Sequence, residues 1–188
     1  MQDQQNLVHR AKQGDQEAFS QLYEYYFDKI YRYVMVRAQD RIEAEDITQE
    51  IFLKAVRSIH SFNWKGIPFS AWLFRIAHNE IIDYLRKKSK QTTVPLQELP
   101  VVPENYTGNP HLMVERELEI EQLKAAIKQL TQAQQDVISL RFFAELPIAE
   151  VASLVGKNQG AVKALQHSAI LALHRMLLYG EIMKNEKG

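Results

Sequence analysis

Apolar side chains recur at steps of three and four residues along most of this chain. In the segment 16–38 the stripe consists of Phe19, Leu22, Tyr26, Ile30 and Tyr33. This spacing places them on one face of an α-helix. Segments 41–59 and 72–90 repeat the pattern, and it returns beyond residue 112. The pattern therefore predicts an all-α protein.

Each later helix has its own predicted inward stripe. In the helix from residue 41 these positions are Ile47, Ile51, and Ala55 or Val56. In the helix from residue 72 they are Leu73, Ile76, Ala77, Ile81 and Tyr84. In the last helix they are Val162, Leu165, Ala169 and Leu173. Polar start signals support three of the boundaries: Asp15 after Gly14, Asp40 with Glu43 three residues on, and Thr131 with Gln134 three residues on.

Residues 91–111 interrupt the helical pattern. Four of the six prolines fall here, at positions 95, 100, 103 and 110. Proline fixes φ and lacks a backbone N–H, so neither a helix nor a central strand continues through this stretch. We read it as a largely extended linker that joins two small helical domains, residues 1–90 and 112–188.

The second domain contains a helix-turn-helix pattern. The sequence ELPIAEVASLVG predicts a short helix with Pro147 in its first turn and Gly156 just past its end. The sequence KNQGAVKALQHSAILALHRML predicts a longer helix directly after it. In such a pair the second helix is the one that enters a DNA groove. A solvated surface helix accounts for the same pattern.

Composition narrows the classes of function. The 188 residues carry 23 basic and 23 acidic side chains, a balance far from that of a stand-alone nucleic-acid binder. There is no cysteine, which excludes disulfides and thiolate metal sites. The start of the chain lacks the apolar core of a signal peptide, and no apolar run is long enough to span a bilayer. We therefore expect a cytoplasmic protein without membrane insertion.

The sequence offers little for catalysis or metal binding. It has no HExxH, no GxSxG, no Walker glycine loop and no GxGxxG. Glu43, Asp46 and Glu50 suggest a carboxylate site of a helical bundle, but its Glu-x-x-His partners are missing. We therefore expect no catalytic residue, no metal and no cofactor, and the protein should not be an enzyme.

Three other clusters suggest binding surfaces. Asp46, Gln49, Glu50 and Leu53 share one helix face, which suits either solvent or a docking protein. The segment 62–72 sets four aromatic residues beside Asn63 and Lys65. Such a mixture suits a surface on which unpaired bases stack, although core packing accounts for the aromatics equally well. Arg75, Asn79, Asp83 and Arg86 lie on a polar face of the next helix, which ends in a run of cations.

In order and spacing, these segments resemble those of the bacterial sigma-70 family. Within that family they are most similar to the short two-domain group called extracytoplasmic-function sigma factors. The matching stretches are AEDITQEIFLKAV, FSAWLFRIAHNEIIDYLRKK and LTQAQQDVISLRFFAELPIAEVASLVGKNQGAVKALQHSA. Together they extend over roughly residues 10–178. The resemblance implies a factor that binds core RNA polymerase and directs it to a subset of promoters.

The resemblance also implies roles for residues. The family's D-x-x-Q-E-x-F segment docks on the β′ clamp helices of the polymerase, and here it is Asp46, Gln49, Glu50 and Phe52. The family's W-L-[YF]-R-I-A-x-N helix and the preceding loop open and read the minus-ten element. The corresponding residues here are Phe62, Asn63, Trp64, Lys65, Trp72, Arg75, Asn79, Arg86 and Lys87.

The second domain resembles the family's minus-thirty-five reader, which also contacts the β flap of the polymerase. The expected contact residues are Gln159, Gly160, Lys163, Gln166 and His167. The chain departs from the usual recognition helix at Ala161, Ala164, Leu165 and Ser168, so the family's promoter sequence cannot be transferred.

Larger members of the group carry inhibitory segments that we do not find here, so we expect control by a separate anti-sigma protein. Two other classes stay open from the residues alone. One is a stand-alone helix-turn-helix regulator, which would bind paired half-sites as a dimer. The other is a helical metal-dependent enzyme, which would retain metal on purification.

Overall fold

The protein is described by a computed structural model over residues 2–63, 67–91 and 120–185, and this part of the chain is helical without a strand. Helix α1 spans Gln2–Lys12, α2 Gln16–Ala38 and α3 Arg41–Ser58; a 3-10 turn at Ile59–Ser61 precedes α4 at Phe69–Gln91. The all-α prediction is confirmed. The predicted linker lies outside the described residues, except for Gln91 at the end of α4.

The second half forms a smaller helical unit. Helix α5 occupies residues 120–128 of the described chain. Helix α6, Gln132–Ile138, continues into a π-helical turn at Ser139–Phe143, and α7, Ile148–Leu154, is followed by α8, Gln159–Asn185. Helices α7 and α8 form the predicted helix-turn-helix, with Gly156 between them at φ +64°. The left-handed backbone at that position favours glycine.

The three predicted helix starts are confirmed. The Asp15 carboxylate accepts from the Ala18 N–H at 3.1 Å, and Asp40 accepts from the Glu43 N–H at 2.8 Å. Thr131 and Gln134 form a complete capping box, in which each side chain accepts from the other residue's backbone N–H. These contacts satisfy N–H groups that have no partner inside the helix.

Two local features were not predicted. Helix α1 has a polar sequence, yet Val8 is fully buried and packs into the main core. The helix that starts at residue 132 widens into a π-helical turn at Ser139–Phe143. There the Ala144 N–H donates to the Ser139 carbonyl and the Leu146 N–H to the Leu140 carbonyl. One or two buried side chains in a polar segment such as α1 give too weak a periodicity to reveal that the helix packs into the core.

The predicted stripes form the core. Ile30, Tyr33 and Ile81 are fully buried, and Phe19 and Ile47 pack against them from the edge. Ala55 rather than Val56 faces inward, since Val56 keeps 44% of its surface exposed. In α8, Val162 and Ala169 are buried as predicted.

The main core extends across both halves of the chain. The same apolar cluster contains Leu73 and Phe74 of α4 together with Leu140, Leu146 and Val151 of the second half. We call residues 2–91 the N-terminal unit and residues 120–185 the C-terminal unit. The sequence predicted two domains joined by a linker and gave no sign that they pack together.

A buried ion pair crosses the contact between the units. The Arg37 side chain of α2 is 0% exposed, and its Nη2 atom lies 2.7 Å from Asp136 Oδ1 of α6. Its Nη1 atom donates to Gln135 Oε1 at 2.8 Å. The Nε atom is buried and has no partner among the described residues. Arg37 therefore depends on α6 for the groups that compensate its lost hydration.

The rim of the contact carries further polar pairs. Glu145 lies 3.1 Å from Lys29 and 3.3 Å from Arg32 of α2. The Lys29 ammonium, which donates to Glu145, holds the pKa of that carboxyl below its ordinary value. On α7, burial raises the pKa of Glu150, which accepts from the Ser70 hydroxyl at 3.1 Å.

Candidate functional site

The outer face of α3 is a polar surface with an apolar border. Asp46 and Gln49 are exposed, and Glu50 is half-buried. Leu53, one turn further on, keeps 46% of its surface exposed. Lys54 at the edge is bound by Glu80 of α4 at 2.6 Å, while it lies 3.9 Å from Glu50. The carboxylates of Asp46 and Glu50 thus stay accessible to a partner.

Phe52 was predicted as a polymerase contact together with Asp46, Gln49 and Glu50, but it does not lie on the same surface. Its side chain is 6% exposed and points away from the α3 surface. The ring packs edge-on against Tyr23 with centroids 4.6 Å apart and lies near Phe27 at 6.3 Å. In this structure Phe52 fixes α3 to α2, and Leu53 is the apolar side chain that α3 presents outward.

The loop before α4 is anchored by an aromatic cluster. Phe62 is 3% exposed, and its ring lies 5.6 Å from Phe69 and 5.2 Å from Trp72. The Lys12 ammonium of α1 also donates to the Phe62 carbonyl. Phe62 was predicted as a DNA contact, but its burial leaves no free ring face for a base. In this structure Phe62 instead anchors the start of the loop against Phe69 and Trp72.

The remaining loop residues are divided between the surface and the undescribed part. Asn63 is exposed, and Trp72 is half-buried on the aromatic cluster. Trp64 and Lys65 lie outside the described residues. The predicted stacking surface of this loop therefore stays a prediction.

The polar face of α4 matches the predicted set. Arg75 and Asn79 are exposed one turn apart, so their side chains project in the same direction. Further along, Arg86 pairs with Asp83 at 3.0 Å, and Lys87 is exposed beside it. The face presents an amide with Arg75 on one side and the Asp83–Arg86 ion pair on the other, which suits contacts with a base edge and with phosphates.

Behind this face, His78 is held against the interior. Its Nδ1 atom lies 3.1 Å from the Tyr33 hydroxyl. Burial lowers the pKa of His78, with opposing effects from Asp136, which raises it, and Arg37, which lowers it. The imidazole is therefore neutral in the folded protein at neutral pH.

This environment predicts a pH dependence of stability. Because the folded pKa lies below the ordinary value of about 6.5, the unfolded chain takes up the proton first as pH falls. Stability is full above about pH 6.5 and decreases as pH falls toward the lowered value. We expect the melting temperature to fall between pH 7 and pH 5.5, and His78→Gln to reduce that fall. The exposed His60→Gln variant is the control; an identical pH profile for His78→Gln contradicts the assignment.

Four of the five α8 residues predicted to contact DNA are exposed, namely Gln159, Gly160, Lys163 and His167. Lys163 and His167 lie one turn apart on the outer face, and Gln159 is exposed at the first turn. Asn158 caps this helix by accepting from the Ala161 N–H at 2.8 Å. A Cβ at Gly160 would stand 3.3 Å from the Asn158 side-chain oxygen, so glycine leaves room for the cap.

Gln166 is already engaged within the protein. Its Oε1 atom accepts from Arg141 Nε at 3.2 Å, and the same arginine donates to the Leu146 carbonyl. Ser168 accepts from Gln134 at 3.1 Å. Gln166 therefore links α8 to the turn before α7, and Lys163 and His167 are the freer groups on this helix.

Two features of the described residues bear on other classes of function. No group of three or more acidic or histidine side chains is placed to hold a metal ion in the described ranges. No helix of the described chain is long and apolar enough to cross a bilayer.

Comparison with known proteins identifies the family. The model for sigma-70 region 2 matches residues 22–91, and the model for sigma-70 region 4 matches residues 126–175. The sigma factor SigW of Bacillus subtilis is 32% identical over 184 residues, covering 90% of this chain and 94% of SigW. The chain belongs to the sigma-70 family, in its extracytoplasmic-function group.

Other members agree with this placement. The extracytoplasmic-function sigma factor BldN of Streptomyces coelicolor is 38% identical over 171 residues, which is 91% of this chain and 64% of BldN. The chain thus spans less than two thirds of BldN. Among solved structures, the sigma factor RpoE of Bartonella quintana, in complex with the anti-sigma factor NepR, has the same fold with a TM-score of 0.67. The match is 22% identical and covers 85% of this chain and 96% of RpoE.

For this sigma factor, sequence reasoning missed the residues between the units. Arg37, Asp136 and Glu145 belong to no family motif that we identified. One signal was available for Arg37, since it follows the apolar positions Val34 and Val36 at the end of α2. No sequence signal marks Asp136 as the partner of Arg37, or Glu145 as the partner of Lys29 and Arg32.

Proposed function

We propose that this chain binds core RNA polymerase in the cytoplasm and directs it to promoters by reading the minus-ten and minus-thirty-five elements. Residues 1–90 would serve as region 2, residues 91–111 as linker and residues 112–188 as region 4. The catalytic step of transcription belongs to the polymerase. The observation that carries the proposal is the match of both family regions, in order, to units that present exposed Asn79 and Lys163.

Run-off transcription with core polymerase tests the proposal. Purified chain and core enzyme are supplied with fragmented genomic DNA, and start sites are mapped. We expect transcripts that begin downstream of a shared pair of elements and that are absent with core enzyme alone. If the chain binds duplex DNA tightly without polymerase and yields no new start sites, the stand-alone regulator is the better account.

An anti-sigma protein is the second proposed partner. Its support is the shared fold with RpoE, which was solved with the anti-sigma factor NepR. An anti-sigma partner would have to cover the surfaces with which this chain binds polymerase or promoter DNA.

The outer face of α3 should bind the clamp helices. Replacing Gln49 and Glu50 with alanine removes an amide and a carboxylate from an accessible face, so we expect affinity for core polymerase to fall by about tenfold. Stability should change little, because neither side chain is buried in the core. A fluorescence titration against core polymerase measures the effect.

Two variants sharpen this test. Leu53→Ala removes the exposed apolar neighbour and should also weaken binding. Glu17→Ala, an exposed carboxylate at the start of α2, should leave binding unchanged. Equal affinities for all three proteins would contradict the placement of the polymerase on α3.

Lys163 should carry most of the minus-thirty-five contact. It is exposed on α8 while Gln166 is bound by Arg141, so few side chains are available for readout. Lys163→Ala should cost on the order of 1–3 kcal/mol and relax preference at one position if Lys163 reads a base edge. A contact with phosphate alone would instead weaken all sites equally and reduce the salt slope by about one.

A randomised minus-thirty-five library transcribed by the holoenzyme separates these results. Gln129→Ala, outside α8, is the control. If Lys163→Ala changes neither output nor preference, α8 is not the reader.

A further inference from the structure

The last turn of α1 is fixed to the N-terminal unit by contacts of its own. Ala11 is buried in the main core, and the N–H groups of Gln13 and Gly14 donate to α1 carbonyls at 2.9 and 3.0 Å. The Arg10 guanidinium binds the Asp15 carboxylate at 2.7 Å across the turn into α2. Lys12 lies between these contacts, so its side chain extends from a rigid base.

The backbone at Phe62 is held from three directions. Its ring packs on Phe69 and Trp72, with centroids 5.6 and 5.2 Å away. Its N–H donates to the Ile59 carbonyl at 3.0 Å, and its own carbonyl accepts from the Lys12 ammonium. The first two contacts come from segments that flank the loop before α4, whereas Lys12 lies 50 positions earlier in the chain.

The bond from Lys12 orients the peptide that leads into this loop. A peptide unit is planar, so the direction of the Phe62 carbonyl also fixes the position of the Asn63 nitrogen in the same plane. Phe62 has φ −61° and ψ 131°, an extended conformation that ends the 3-10 turn. Asn63 follows directly and is exposed. Lys12 therefore controls the direction in which Asn63 leaves the protein surface.

The chemistry of the bond suits this role. The donor carries a full charge, and charge-assisted hydrogen bonds are about twice as strong as neutral ones. Lys12 is half-buried, so water competes for the carbonyl less than it would at the open surface. A cation in the last turn also interacts favourably with the helix macrodipole. That effect explains a lysine at the end of α1, but it does not explain the contact with Phe62.

Readout of a base by an amide requires such support. An amide that bonds a base edge must be held within about 0.5 Å of its productive position. Asn79 meets this requirement through α4, because a regular helix is more precise than a loop. Asn63 has no helix of its own, so a contact that fixes its first peptide supplies the missing precision.

We propose that Lys12 is a positioning residue for promoter readout: it orients Asn63 so that the Asn63 amide meets the minus-ten element in one geometry. Lys12 itself contacts no base. The match to sigma-70 region 2 begins at residue 22, so this determinant of promoter preference lies outside it. The inference rests on the proposed function, because it concerns how the same chain reads its minus-ten element.

A double-mutant cycle on promoter preference tests the proposal. Holoenzymes with the native chain, Lys12→Met, Asn63→Ala or both changes transcribe a promoter library randomised in the minus-ten element. Asn63→Ala should reduce the preference at one base position by about tenfold, as the loss of a good amide–base contact does. Lys12→Met should reduce it at the same position by about fivefold, because the amide is still present but misplaced. In the Asn63→Ala background, Lys12→Met should change it by less than about twofold.

Three controls identify the cause. Lys12→Arg keeps a charged donor and should preserve most of the preference. Lys128→Met removes an exposed cation from the C-terminal unit and should leave the minus-ten preference unchanged. In an Asn79→Ala background, Lys12→Met should keep its full effect, since α4 holds Asn79 independently. Preference is a ratio within each holoenzyme, so a smaller amount of folded protein does not alter it.

Several results would overturn the proposal. An undiminished effect of Lys12→Met in the Asn63→Ala background means that Lys12 does not act through Asn63. A uniform loss over the whole library, with the salt slope reduced by about one, means that Lys12 contacts phosphate instead. An unchanged preference in either single variant leaves Lys12 nothing to position.

Amide relaxation in the free full-length chain follows Asn63 without transcription. The order parameter of the Asn63 amide should be about 0.85 in the native chain and fall below about 0.6 in Lys12→Met, while that of Ile81 stays unchanged. An equal Asn63 order parameter in the two proteins overturns the role of Lys12. If the native holoenzyme yields no promoter-specific transcript, the proposed function fails, and the relaxation result still shows whether Lys12 orders Asn63.

Discussion

Asp136→Ala will destabilise the folded protein by about 3–5 kcal/mol, because it leaves the Arg37 guanidinium buried without its counter-charge. The Arg37 side chain is 0% exposed and its Nε atom already lacks a partner in the described chain, so after the substitution the guanidinium would keep the bond to Gln135 Oε1 but no carboxylate. Urea unfolding of the full chain measures the loss, with tryptophan fluorescence and circular dichroism as two probes of the transition.

Two comparisons test the physical cause. Asp83→Ala removes a carboxylate whose ion pair with Arg86 is exposed on both sides, and it should cost only about 0–1 kcal/mol. In an Arg37→Met background, Asp136→Ala should cost much less than in the native chain, because no buried charge is left behind. If Asp136→Ala costs no more than Asp83→Ala, the contact between the units does not bury Arg37 in solution.

Asn79→Ala will reduce the formation of open promoter complexes by about tenfold. Asn79 is exposed on α4 beside Arg75, where its amide can bond the edge of an extruded base, and a good bidentate pair of this kind is worth roughly 1–3 kcal/mol. Permanganate footprinting of the holoenzyme on duplex promoter measures the unpaired thymines directly.

A premelted bubble distinguishes the two roles of Asn79. If the residue acts in strand separation, the bubble template should restore most of the activity; if it reads the base, the defect should persist. Asp83→Ala on the same helix should not reduce open complexes. Identical footprints for Asn79→Ala and the native chain on both templates would rule out a contact at Asn79.

The helical fold was predictable because it depends on local signals. Asp15, Asp40 and Thr131 cap the helices that their positions indicated, and the apolar stripes of α2 and α4 became the core. Each signal acts over one or two turns, so a single sequence displays it. The same holds for Gly156, whose positive φ ends the first helix of the helix-turn-helix.

Side-chain exposure within the candidate surfaces was harder to predict. Phe52 and Phe62 lie in motifs that the family associates with binding, yet both are buried among aromatic neighbours. An aromatic residue beside polar ones suits a core and a binding surface equally, and only tertiary packing decides between them. Gln166 presents the same difficulty, because its partner Arg141 lies 25 positions away in the sequence.

The contact between the units was beyond sequence reasoning for a related reason. Arg37 and Gln135 are separated by 98 residues, and Arg32 and Glu145 by 113. Pairing at such distances leaves no periodicity in the chain. An equal number of basic and acidic residues is consistent with these pairs but does not identify them.

Helix α1 packs into the N-terminal unit although it precedes the family match. The match to sigma-70 region 2 begins at residue 22, inside α2. A fragment cut at that boundary would lose the Asp15 cap, the buried Val8 and the bond from Lys12 to the Phe62 carbonyl, at the start of the loop before α4. The family match therefore covers a shorter segment than the residues that pack together. The smallest fragment that keeps the loop before α4 in place must retain α1.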